Sequence, residues 1–122
     1  MSVDQVEAAQ AVVDVATVQN RYNLLDRASD DVLRYCTEQG IGFLPWFPIA
    51  SGRLAEPGGP VAEAAQRFGV TAPAVALAWL LQRSSVMLPI PGTSSVAHLE
   101  ENLRAATLRL DLETVEKLDA AA

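Results

Sequence analysis

Val86-Met-Leu-Pro-Ile-Pro-Gly-Thr-Ser-Ser-Val-Ala-His-Leu-Glu-Glu-Asn102 is the stretch around which the chain is read. Its apolar start predicts a buried strand, Pro91-Gly92 a turn, and Thr93, Ser94 and Ser95 the opening of a helix. Strand, turn and helix N-terminus together offer free backbone N–H groups to an anion. His98, Glu101 and Asn102 stand at i, i+3 and i+4, so they share one face of that helix. The same layout also serves as an ordinary N-cap, because Ser and Thr commonly open helices without any ligand. Neither Ser94 nor Ser95 has Glu or Gln three residues on, so no capping box forms there.

Working outward, the 122 residues suffice for one domain with a real core, and half of them are apolar. The mean hydropathy of +0.17 fits a folded, soluble chain. Nine Lys and Arg against fifteen Asp and Glu leave a net charge of −6 with no basic cluster. That balance argues against nucleic acid or an anionic membrane as partner, while a small anionic ligand held by local donors stays possible. One cysteine, Cys36, forms no internal disulfide, and one histidine, His98, builds no His/Cys zinc site. Cys36 shares an apolar helix face with Val32 and Leu33 and reads as core. Prolines interrupt the apolar runs well short of a membrane span, so a cytoplasmic location is expected.

Taken in order, Ser2 and Gln5 form a capping box, and Val6, Ala9, Gln10 and Val13 recur at helical spacing. The expected chain therefore begins at the start of a helix. Val15–Gln19 reads as a first strand, with Asn20, Arg21, Tyr22 and Asn23 at its carboxyl end. Ser29 is the expected cap of a helix that carries Asp30 and Asp31 in its first turn and stops at Gly40. Ile41–Phe47 is the second strand, Pro48–Leu54 a loop, and Pro57-Gly58-Gly59-Pro60 a flexible passage. A short helix over Val61–Phe68 ends at Gly69. Thr71 caps a longer one, with Pro73 in its first turn and Arg83 at its end. After the strand and helix of the opening stretch come the run Leu108–Leu110 and a helix capped by Asp111, with an apolar stripe of Leu112, Val115 and Leu118.

This order predicts parallel strands joined by right-handed crossovers. Three strands fall short of an eight-stranded barrel, which needs roughly 250 residues, and they leave unpaired edges. The expectation is a piece of a larger fold, or a chain that completes its sheet with another.

Val-Gln-Asn-Arg-Tyr-Asn (18 to 23), Gly-Ile-Gly-Phe-Leu-Pro-Trp-Phe-Pro-Ile-Ala (40 to 50), Pro-Ala-Val-Ala-Leu-Ala-Trp-Leu-Leu (73 to 81), Pro-Ile-Pro-Gly-Thr-Ser-Ser (89 to 95) and Glu101-Asn102 occur in this order. Together they resemble the aldo-keto reductases, specifically their carboxyl-terminal portion with the last three barrel strands. The resemblance implies an α/β fold, a partial (β/α)8 TIM barrel of three parallel β/α units plus a terminal helix, with residues 1–122 one partial domain. It also implies NADPH-dependent reduction of aldehydes or ketones by hydride transfer.

Residue by residue, Gln19 matches the side chain that binds the nicotinamide carboxamide, and Trp46 the aromatic ring against the nicotinamide face. Phe47, Ile49, Ser51 and Arg53 match the loop over the pyrophosphate. Arg53 has two readings, a charge partner for that group and a solvated loop cation. Ile90, Gly92, Thr93 and Ser94 match the segment at the adenosine 2′-phosphate, and Glu101 with Asn102 the pair that binds adenine. Many members place a lysine at the position of Gly92 and an arginine at that of His98. Without those cations backbone amides and the Thr93 and Ser94 hydroxyls would hold the phosphate, and the choice between NADPH and NADH stays open. His98 itself reads either as a phosphate ligand or as a solvent-facing helix residue.

The family's acid is a tyrosine tuned by lysine, aspartate and histidine from earlier strands. The only lysine here is Lys117, on the last helix, and the only histidine is His98. Tyr22 lies near the right barrel end but is expected to lack a neighbouring cation and to keep too high a pKa. Three readings follow: the cofactor-binding part of a reductase, inactive alone; a nucleotide-binding or barrel-completing module acting with a separate amino-terminal chain; or a self-pairing structural dimer using the exposed strand edges.

Overall fold

The computed structural model describes residues 1–49 and 56–121. Within them the order is α1 (Val3–Gln10), β1 (Thr17–Arg21), α2 (Asp30–Gln39), β2 (Gly42–Trp46), α3 (Pro60–Phe68), α4 (Ala72–Arg83), α5 (Val96–Arg104) and α6 (Leu112–Asp119). Local chemistry sets most of these ends. The capping box at Ser2 and Gln5 is present in both directions. Gly40 and Gly69 close α2 and α3 with φ of 70° and 65°, a left-handed turn that other residues adopt at a cost. The hydroxyl of Thr71 and the carboxylate of Asp111 each accept an N–H of the helix they precede, from Ala74 at 3.3 Å and Thr114 at 3.1 Å.

Several expectations change on contact with the structure. The first strand lies two residues further on than Val15–Gln19, and the second is trimmed from Ile41–Phe47 to Gly42–Trp46. Val13 falls beyond the end of α1 and is exposed. The third strand is reduced to one parallel bridge between Phe43 and Met87, made by Phe43 N–H to Val86 O and Leu88 N–H to Phe43 O, both at 2.8 Å. In this register the next rung would need an N–H at position 45 to donate to Leu88 O, and Pro45 has none, so the ladder stops after one bridge. Pro91-Gly92 forms no regular turn; the turn falls earlier, at Ser85-Val86. Pro60 already belongs to α3, and the Pro48–Leu54 loop lies partly outside the described residues. Leu112 is exposed, while α6 buries Thr114 and Leu118. Ser29 stands at the N-cap of α2, yet its hydroxyl makes no capping bond. It accepts instead from Asn20 Nδ2 at 3.1 Å, and the same nitrogen donates to Met1 O at 2.8 Å.

β1 and β2 pair in parallel, Gln19 against Leu44 and Arg21 against Trp46. The alternation of side chains then decides what each face does. Val18, Asn20, Phe43 and Pro45 point to the helices and are buried. Behind them α4 supplies an unbroken buried run from Ala74 to Leu80, with Trp79 wholly enclosed. The opposite face carries exposed Gln19, Arg21, Trp46 and Leu88. Parallel sheets are ordinarily covered on both faces, so this face, with two large apolar side chains beside Gln19 and Arg21, is left uncovered. Among the described residues no helix is long and apolar enough by itself to cross a membrane.

Candidate functional site

The carboxyl ends of β1 and β2 form one half of the site. Tyr22 N–H donates to Trp46 O at 3.3 Å, extending the ladder past Arg21. Asn23 then folds the chain back: its Oδ1 accepts from the N–H groups of Leu25 and Asp26, both at 2.9 Å. Its Nδ2 reaches across to donate to Phe47 O at 3.1 Å. Phe47 has φ of 60°, which is rare for a residue with an aromatic side chain and carries a local cost. Trp46 and Phe47 are both exposed. Gln19 lies two residues before Arg21 on the same face, free of the core.

The other half is a cavity of about 340 Å³ lined by Ile49, Thr71, Pro73, Gly92, Thr93, His98, Glu101 and Asn102. Three segments far apart in sequence meet there: the chain after β2, the N-terminus of α4, and the passage into α5. Ser95 caps α5 by accepting His98 N–H at 3.3 Å. Thr93 Oγ1 accepts Ser95 N–H at 3.1 Å, so this hydroxyl is already aligned along its own chain. Glu101 and Asn102 are half-buried at the wall, and Glu101 pairs with Arg104 at 3.6 Å, an exposed contact of small energy. Among the described lining residues the only carboxylate is that of Glu101, and His98 adds an imidazole.

Of the residues singled out from sequence, Ile49, Gly92, Thr93, His98, Glu101 and Asn102 meet at this cavity. Gln19, Trp46 and Phe47 stand together at the strand ends. Ile90 and Ser94 are exposed and do not line the cavity; Ser51 and Arg53 lie outside the described residues. Thr71 and Pro73, read from sequence only as a cap and a first-turn proline, are lining residues as well. Their helix signals say nothing of what packs opposite them, so only the tertiary fold reveals this. Among the described residues no group of His, Cys, Asp and Glu could hold a metal ion.

Tyr22 belongs to neither half. It is fully buried on the helix side, edge-on to Phe43 at 5.7 Å and stacked on Trp79 at 6.1 Å. Its hydroxyl donates to Asp30 Oδ1 and accepts from Arg83 Nε at 3.3 Å. A cation is therefore adjacent, contrary to the sequence expectation. Burial, reinforced by the hydrogen bond to Asp30, still outweighs Arg83 and pushes the phenol up to about 12. An ordinary tyrosine ionises near 10, so the unfolded chain loses this proton first as pH rises. The stabilisation is complete below about pH 10 and is lost between there and about 12, amounting to about 3 kcal/mol. Urea melts across that window should show the decline, and Tyr22→Phe should remove the part due to this group.

The Aldo/keto reductase family model matches residues 1–122. An uncharacterized oxidoreductase of Schizosaccharomyces pombe is 47% identical over 119 residues, covering 98% of this chain and 39% of the relative. Pyridoxine 4-dehydrogenase of Escherichia coli is 43% identical over 115 residues, covering 94% and 40%. The chain thus spans about two-fifths of the length of these curated relatives. Among solved structures, a thermostable aldo-keto reductase in complex with the inhibitor epalrestat superposes with a TM-score of 0.91 at 28% identity, over 100% of this chain and 46% of its own. An aldo-keto reductase from Klebsiella pneumoniae in complex with NADPH gives 0.88 at 26%, over 98% and 45%.

Proposed function

The chain belongs to the aldo/keto reductase family, and from that premise we propose that it is the carboxyl-terminal, cofactor-holding portion of an NADPH-dependent carbonyl reductase. Residues 1–122 then form one partial (β/α)8 barrel domain. The observation that carries this reading is the cavity, where Ile49 meets Gly92, Thr93, His98, Glu101 and Asn102. Its volume of about 340 Å³ suits part of a nucleotide rather than a whole dinucleotide. The Asn102 amide and Glu101 carboxylate supply the donor and acceptors that an adenine edge requires.

In this reading Glu101 and Asn102 hold adenine, while Ile90, Gly92, Thr93 and Ser94 border the 2′-phosphate with His98 beside them. Phe47, Ile49, Ser51 and Arg53 flank the pyrophosphate. Gln19 binds the nicotinamide carboxamide and Trp46 packs on its ring. The bound cofactor supplies the hydride for reduction of an aldehyde or ketone. This chain's residues orient it, and among the described residues none is a proton donor of the required kind: Lys117 is paired with Glu113 at 2.9 Å on α6, Tyr22 is buried with its pKa raised, and the Tyr35 hydroxyl of α2 donates to Gln10 of α1. The acid comes from residues beyond this chain, so the chain alone is inactive. NADH would enter the same site, and a cytoplasmic location accompanies the reading.

The uncovered sheet face favours a second form of the same idea. Trp46 and Leu88 are each about half exposed, at 48% and 50%. A complementing amino-terminal half, or a second copy of the chain, would cover them and the free strand edge.

The test is a titration of the purified chain with NADPH, followed by quenching of tryptophan fluorescence. Saturable quenching is expected. It should disappear in Trp46→Leu, which leaves only Trp79, and weaken about tenfold in Glu101→Ala through lost hydrogen bonding. A folded, soluble chain whose fluorescence ignores NADPH would refute the reading.

A further inference from the structure

The geometry points to Arg21 as the residue that positions the Trp46 ring for the nicotinamide, an inference that rests on the cofactor reading above and adds a residue it leaves out. Arg21 ends β1 directly opposite Trp46 in the parallel register, on the uncovered face of the sheet. Its guanidinium carbon lies 5.7 Å from the centroid of the Trp46 ring and 5.4 Å from that of Phe47. Both distances are within the range of an attractive cation–π contact.

The guanidinium is itself held. Its Nε pairs with Asp26 at 3.1 Å. Asp26 is fixed in turn by Asn23, whose N–H donates to Asp26 O at 3.0 Å and whose carbonyl accepts Asp26 N–H at 3.1 Å. Asn23 also ties Phe47 O to this loop through Nδ2. The end of β1 and the turn behind it are therefore a brace: Asn23 grips the backbone of Phe47, and Arg21 lies against the two aromatic rings.

An indole that is 48% exposed has little packing of its own to select a rotamer. Ordering such a side chain on binding costs roughly 0.5–1.5 kcal/mol, and a ring ordered beforehand avoids that loss. Arg21 supplies the ordering while leaving about half of Trp46 open to a second flat group. Gln19 stands on the same face two residues back, roughly 7 Å along the strand. That places an amide partner near the stacking ring, as a nicotinamide with its carboxamide requires.

The test uses Arg21→Met and Arg21→Lys in the purified 122-residue chain. Acrylamide quenching of Trp46, taken as the difference from Trp46→Leu, reads the ring without any cofactor. Affinities for NADPH and for 2′,5′-ADP, which lacks the nicotinamide, read the two halves of the site separately. Arg21→Met should raise quenching of Trp46 and weaken NADPH about two- to fivefold, leaving 2′,5′-ADP unchanged, with Arg21→Lys intermediate. Unchanged quenching or unchanged NADPH affinity in Arg21→Met would overturn the inference, as would an equal loss for both ligands. Wild-type chain that binds neither ligand would overturn the cofactor reading itself, and the nicotinamide role of Arg21 with it.

Discussion

Trp79→Ala is expected to lower the stability of the folded chain by about 3–5 kcal/mol, the largest single effect anticipated here. Trp79 is completely buried in α4 and stacks on Tyr22. Arg27 and Arg83 place their guanidinium carbons 4.8 and 5.2 Å from its centroid, and its Nε1–H donates to Asp119 at 2.8 Å. Truncation removes the packing partner shared by the segment after β1 and the end of α6, and leaves a cavity between them. Arg27 also donates to the carbonyls of Leu118 and Asp119, at 3.1 and 3.0 Å, so disturbing the ring loosens the end of α6 as well. A loss of that size is a large part of the total stability of a domain this long. Chemical denaturation should show it, beside a change within about 0.5 kcal/mol for Trp46→Leu on the surface. Equal losses for the two tryptophans would contradict the packing described.

Gly92→Lys is expected to raise affinity for NADPH about tenfold, with NADH affinity nearly unchanged. A Cβ at Gly92 would meet nothing within 4 Å, so the backbone and its surroundings accept a side chain there. Gly92 lines the cavity, where the only carboxylate among the described lining residues, Glu101, belongs to a chain of net charge −6. A lysine would bring an ammonium to the 2′-phosphate, and charge-assisted hydrogen bonds are worth about 1.5–3 kcal/mol before the loss of side-chain freedom. The gain should shrink as salt rises. Paired titrations with NADPH and NADH measure it. A matching gain for both cofactors, or for neither, would remove Gly92 from the phosphate end of the site.

How much of this was legible beforehand depends on the range of the forces involved. The caps at Ser2, Thr71 and Asp111 and the glycine stops at Gly40 and Gly69 involve neighbours within a few residues, and the sequence displays both partners. Ser29 fails as a cap because Asn20, nine residues earlier, takes its hydroxyl. The third strand fails because Pro45 of β2 lacks the N–H that the next rung to Leu88 requires, a conflict that only the strand register exposes. Leu112 turns outward because α6 is rotated by its docking on α3, where Arg67 pairs with Asp111 at 2.6 Å and donates to Thr114 at 3.2 Å. No local pattern carries that rotation.

The site divides in the same way. His98, Glu101 and Asn102 share a face by helical periodicity alone, and that face does line the cavity. Thr71 and Pro73 join it only because α4 packs against α5. Arg83 reaches Tyr22 across 61 residues, which is why the phenol was expected to lack a cation. The contact of Arg21 with Trp46 required the strand register. Motif order disclosed the family, but a one-residue shift in that register would have placed Arg21 on the other face.

The most direct measurement of the central claim, that this chain by itself forms the adenine end of a nicotinamide-cofactor site, uses its single histidine. NADPH is titrated into the labelled chain while the imidazole resonances of His98 and the amide of Gly92 are followed by NMR. The account predicts saturable shifts of both, reproduced by 2′,5′-ADP. Resonances of a folded chain that stay in place up to millimolar ligand would contradict it.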